Sequence, residues 1–102
     1  MIARNDIHPN LPSPRFQLGQ LVATPGALKA LEEAGQDPMA LFYRHQRGEW
    51  GEVPADDVAE NERSVAQGYR VMSVYTLKTN VKVWVITEAD RSVTTILLPD
   101  EY

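Results

Sequence analysis

Apolar residues along this chain change their spacing once, at Gly68. Upstream they recur every three or four positions in short segments opened by proline. Downstream they alternate with polar residues in runs rich in Val, Ile, Thr and aromatics. The first spacing lays side chains along one stripe of a helix, the second along one face of a strand. Thr24-Pro25-Gly26 predicts a helix over 27–34: Thr is a good N-cap, Pro at the first helical position forfeits no intrahelical bond, and Gly35 is a natural stop. Asp37-Pro38 opens a second helix through Met39, Leu41, Phe42 and His45 to Gly48. So short a connection implies an αα-hairpin or corner. A third helix over 55–67 follows Pro54. Its only clearly apolar face is Val58, Val65 and Ala66, which places it at the surface. Segments 69–75, 81–87 and 92–98 read as strands, joined by polar loops short enough for hairpins. A further short strand over 16–23 is weakened by Gly19. Pro9, Pro12 and Pro14 make 1–15 a flexible arm and leave 16–102 as one domain. The expected fold is α+β: a three- or four-stranded antiparallel sheet packed by two or three helices. Its expected core is Leu28, Leu31, Leu41, Phe42, Val71, Val83, Val85, Ile96 and Leu98.

A chain of 102 residues can bury one modest core and not two. Cysteine is absent, which excludes disulfides and thiolate metal sites and gives no reason to expect secretion. The start of the chain lacks the apolar stretch of a signal peptide, and no apolar run approaches the roughly 18 residues of a membrane span. A cytoplasmic protein without membrane association is expected.

The net charge of −4 is unevenly placed. Residues 49–62 hold six carboxylates and no base, whereas the stretches on either side each carry a net +1. No clustered basic footprint is present, so direct nucleic-acid binding is not expected. An acidic stretch repels phosphate and attracts a basic surface. It reads in two ways. One is an interface for an unidentified protein partner, such as a basic nucleic-acid-binding protein, formed by Glu49, Trp50, Glu52, Asp56, Asp57, Glu60 and Glu62 with Trp50 as apolar anchor. The other is a solvated helix face.

Residues that carry chemistry are sparse. The glycines stand singly and form no phosphate-cradling loop, and His8 and His45 have no metal-ligand spacing, so neither cofactor nor metal is expected. A nucleophile–base pair would need His45 to meet Ser73 or Ser92, and no spacing brings them together. The one catalytic candidate is the corner Glu88, Asp90 and Arg91, where carboxylates could act as acid and base and the guanidinium could hold an anion. The same residues are also good turn formers that can pair with one another.

The pattern Phe16-x-Leu18-Gly19, Val22-Ala-Thr-Pro-Gly-Ala-Leu28, Gly48-x-Trp50-Gly51, Asn61-Glu62, Ser73-x-Tyr75, and then Trp84-x-Ile-Thr-Glu-Ala-Asp-Arg-Ser-x-Thr-Thr-Ile-Leu-Leu-Pro-x-Glu-Tyr102 resembles a family of small bacterial plasmid-related and integrative-element proteins. Some relatives carry the label of a type I restriction modification subunit. A methyltransferase needs a nucleotide-binding α/β domain with a glycine-rich loop, and this sequence has none. The family brings no established active site. Together with the acidic stretch, the resemblance implies a non-enzymatic accessory protein of a mobile genetic element that acts by protein–protein interaction, for example as an acidic inhibitor of a nucleic-acid-binding or host-defence protein. The alternative is a small hydrolase or nuclease-like toxin using Glu88, Asp90 and Arg91.

The charge pattern predicts that the purified chain leaves duplex DNA unshifted in a gel at physiological salt. A salt-sensitive shift at sub-micromolar protein would contradict it.

Overall fold

A computed structural model describes residues 13–102, and most of the proposed arm, 1–12, lies outside them. The elements follow in the order β1 (Gln20–Ala23), α1 (Pro25–Ala34), α2 (Pro38–Gln46), α3 (Ala55–Gln67), β2 (Val71–Thr76), β3 (Lys82–Thr87) and β4 (Val93–Leu97), with a closing 3-10 turn, Pro99–Glu101. The fold is α+β, as the change of period predicts. Thr24 Oγ1 caps α1 by accepting from the Ala27 N–H at 3.1 Å, and Asp37 Oδ1 caps α2 by accepting from the Met39 N–H at 2.9 Å. Among the described residues no helix is long and apolar enough to cross a membrane.

The sheet order is β1-β4-β3-β2. Two hairpins make β2, β3 and β4 antiparallel, whereas β1 lies parallel to β4. The antiparallel expectation therefore holds for three strands and not for the fourth. No hairpin ties β1 to its neighbour, because three helices intervene before the chain returns to the sheet. The strand expected over 16–23 is also shorter, Gln20–Ala23. Gly19 ends it with a φ of +67°, and a Cβ there would lie 2.4 Å from the Ser92 carbonyl carbon.

The helices cover one face of the sheet. Ala27, Ala30 and Leu31 of α1 and Leu41 and Phe42 of α2 pack with Tyr75, Leu77, Val83, Val85 and Ile96. Leu28, expected in this core, is 48% exposed. The buried stripe of α1 is 27, 30 and 31, continued by the half-buried Ala34, and residue 28 stands a hundred degrees off it. Leu98 is half-buried at the margin of the core. α3 lies at the surface as expected, but Val58 is exposed and the helix turns Asn61 and Ser64 inward instead.

Asn61 explains this reversal, because it closes the β2 edge. Its side-chain Nδ2 donates to Met72 O at 2.7 Å, and Met72 N donates to its Oδ1 at 3.1 Å. One residue pair further along, Val74 N donates to Trp50 O at 3.0 Å and Glu52 N to Val74 O at 2.7 Å. Gly51 permits that contact: its φ is +77°, and a Cβ would come within 1.9 Å of Val74 O. The outward backbone groups of Met72 and Val74 are thus satisfied without another strand.

The packing predicts opposite results for two leucines of α1. Leu31→Ala should cost about 2–5 kcal/mol in urea unfolding, and Leu28→Ala no more than about 1 kcal/mol. Equal losses would mean that α1 packs through a different stripe.

Candidate functional site

Four side chains distant in sequence meet beneath α2. His45 Nδ1 lies 2.6 Å from Ser73 Oγ on β2, and Nε2 lies 2.9 Å from Thr87 Oγ1 on β3. Thr87 Oγ1 is 2.6 Å from Thr94 Oγ1 on β4, and Thr94 Oγ1 donates to Leu18 O at 2.7 Å. All four side chains are fully buried. The direction of this relay follows from its end. Leu18 O can only accept, so Thr94 donates to it and accepts from Thr87. Thr87, its proton spent, accepts from His45. The imidazole is therefore the neutral Nε2–H tautomer, and Nδ1 accepts from Ser73. Phe16 and Trp50 enclose the ring edge-on, at centroid distances of 5.2 and 5.9 Å.

Ser73 and His45 stand at the separation of a nucleophile and its base, a meeting that no spacing along the chain predicts. Neither group reaches solvent, and each is committed to the relay, so the pair holds β2 to α2 and offers no nucleophile. Burial, helped by the positive charge of Arg91, pushes the His45 imidazole down to about 3.

The Glu88, Asp90 and Arg91 corner is built into the fold. Arg91 Nη1 donates to Tyr69 O at 2.7 Å and Glu88 O at 3.2 Å, and Nη2 donates to Ser64 O at 2.9 Å. It therefore seals the last turn of α3 onto the β3–β4 hairpin, with its guanidinium 5.5 Å from the Phe16 ring centre. Asp90 Oδ1 accepts from Ser92 N at 3.0 Å within its own turn. Glu88 faces Arg70 at 3.6 Å. The ion pair foreseen between Arg91 and its neighbouring carboxylates does not form, because backbone carbonyls take the guanidinium.

Several residues of the acidic stretch also serve the fold. Trp50, expected as an exposed anchor, is only 5% exposed. The contact of its loop with β2 turns the indole inward, where it stacks on Phe16 at 6.2 Å and donates from Nε1 to Glu62 Oε2 at 3.2 Å. Glu62 also receives both Nη groups of Arg15, at 2.9 and 2.6 Å, and that hydrogen bonding holds its carboxyl below the usual range. Arg15, assigned to the flexible arm, is thus tied to α3. Glu49 pairs with Arg44 and Arg47, and Glu52 with Lys82. Among the described residues Glu60 pairs only with its helical neighbour Arg63, and both remain exposed. Asp56 and Asp57 make no ion pair among the described residues.

Shallow depressions mark the surface of the described residues. One, of about 540 Å³, lies along α1 and the start of α2 beside Leu28, Lys29, Glu32 and Pro38. A smaller one, of about 170 Å³, is lined by Asp57, Glu60, Asn61, Arg70 and Met72. Among the described residues no three His, Cys, Asp or Glu side chains gather as metal ligands. The chain is thus a small α+β domain with a buried polar relay and an acidic outer helix. No protein-family model, curated protein or solved structure matches it.

The relay predicts a pH dependence. Below about pH 6.5 the unfolded chain protonates His45 and the folded chain does not, so stability is full above that pH and falls as pH drops toward about 3. Between pH 6.5 and 5 the loss should approach about 1.4 kcal/mol per pH unit, and His45→Gln should flatten it. A native chain whose stability is level across that window would contradict the neutral buried imidazole.

Proposed function

We propose that this chain is a non-catalytic binding module that engages a basic protein surface through the outward side of α3. The carrying observation is the exposed group of Asp56, Asp57 and Glu60, two of which line a depression together with Asn61, Arg70 and Met72. The apolar contact that Trp50 cannot supply from inside the fold falls to Val58, 38% exposed on the same helix, and to the half-buried Met72. Charge at such a surface sets the association rate and selectivity, and the apolar contacts set the lifetime. Asp56 and Asp57 also complement the dipole of the first helical turn, which alone would account for their place. Glu60, one turn further, gains little from that dipole. The resemblance to mobile-element proteins fits an accessory role of this kind, with a basic nucleic-acid-binding or host-defence protein as the target.

The reading is tested by affinity capture from a bacterial lysate, comparing the native chain with Asp56→Asn/Asp57→Asn/Glu60→Gln. A basic protein should be retained by the native chain, released by added salt, and bound about tenfold more slowly by the variant. Unfolding curves should show the variant folded. If native and variant chains retain the same proteins with the same kinetics, α3 is only a solvated face.

A further inference from the structure

The two edges of the sheet are treated differently. On β2 the outward groups of Met72 and Val74 are taken by Asn61, Trp50 and Glu52. On β1 the N–H groups of Gln20 and Thr24 donate to Ser92 O and Ile96 O of the β4 side, each at 3.0 Å. Strand alternation therefore turns the N–H and C=O of Leu21 and Ala23 away from β4. Among the described residues nothing receives them, and Leu21 and Val22 beside them are each 38% exposed. Shortness is the guard this four-residue edge does carry; β1 contains no lysine or proline, and among the described residues no side chain hydrogen-bonds to its outward groups.

We infer that this edge pairs with β1 of a second copy, antiparallel about a two-fold axis, and extends the sheet from four strands to eight. The geometry of the open groups selects this register. Leu21 of one copy opposite Ala23 of the other places outward N–H and C=O groups face to face twice, which makes four hydrogen bonds. Val22 then meets Val22 of the other copy on the axis, in the close, non-hydrogen-bonded position where side chains touch.

Charge selects the occupant. From Phe16 to Leu28 the chain runs 13 residues without a charged side chain, although a quarter of all its residues are charged. A basic or acidic peptide finds no complementary charge in this stretch. Two copies, each of net charge −4, approach here with no ionised side chains of 16–28 opposed, while their acidic α3 helices lie at the far edges. The pairing shares no residue with the α3 surface and stands or falls apart from it. Strands of four residues make a small interface, so the dimer is reversible and concentration-dependent.

The test uses the full chain in sedimentation equilibrium across a concentration series. The native protein should shift from the mass of one chain to that of two. Val22→Lys and Val22→Glu should each remain single chains, since each places like charges on the axis, and an equimolar mixture of the two should recover the dimer. Amide exchange at Leu21 and Ala23 should slow as the native protein associates, while that at Val22, already directed at β4, should not change. The proposal is overturned if the native chain stays single up to about 1 mM, if either variant associates as the native chain does, or if the mixture fails to recover the dimer.

Discussion

His45 sits fully buried where α2 crosses β2 and β3, with a protein hydroxyl at each ring nitrogen. Leaving a buried polar atom unpartnered costs about 1–3 kcal/mol, so both nitrogens must be satisfied by protein. Ser73 meets one. The other is met by a relay through Thr87 and Thr94 that ends at the Leu18 carbonyl. One direction of donation satisfies every member, and it engages α2, the three antiparallel strands and the segment leading into β1. A hydrophobic core alone would tolerate some sliding of α2 over the sheet. The relay does not, because a displaced helix strips the partners from both imidazole nitrogens and from the Ser73 hydroxyl.

The remaining polar contacts fasten the periphery to that frame. Arg91 gives its donors to carbonyls at the end of α3 and in the β3–β4 turn, and it holds a φ of +61°, which is unusual for a residue with a side chain. Glu62 gathers Arg15 and Trp50 onto α3. Glu101 accepts from the Thr24 hydroxyl at 2.5 Å and from Leu98 N at 2.8 Å, which links the end of the chain to the start of α1. At the outer sheet face, Tyr102 packs edge-on against Trp84 with centroids 5.5 Å apart, and Arg70 bonds its hydroxyl. Residues that look reactive in isolation thus serve as ties. Among the described residues, Asp56 and Asp57 on α3 and the outward backbone groups of Leu21 and Ala23 on β1 stand without such ties, on opposite sides of the sheet.

The acidic character of 49–62 was legible in the sequence, but the division of labour within it was not. Glu49, Glu52 and Glu62 are distinguished from Asp56 and Asp57 only by the bases that the fold brings near them, and Arg15 and Lys82 are both remote in sequence. Trp50 looked exposed because its neighbours are Glu and Gly. The turn at Gly51 carries the indole inward, and no local pattern reports that. The relay did leave a trace. Ser73 shares strand parity with Val71 and Tyr75, Thr87 with Val83 and Val85, and Thr94 with Ile96. Each is a hydroxyl on a face that is otherwise apolar. Three such positions on one face call for a shared polar partner.

Local physics is sufficient for the elements of this protein. Helix starts at Thr24 and Asp37, the stop at Gly68, and the alternation in 69–98 depend on capping, backbone freedom and side-chain period, all of which act within a few residues. The α+β class and most of the core follow from them. Tertiary structure decided which strand lies beside which, that β1 runs parallel to β4, that Leu28 faces water, and that a relay from one histidine joins three strands. These depend on contacts between residues as far as 76 positions apart. Such contacts form only when burial makes an unpartnered polar group costly, a condition that arises once the whole chain has closed around it.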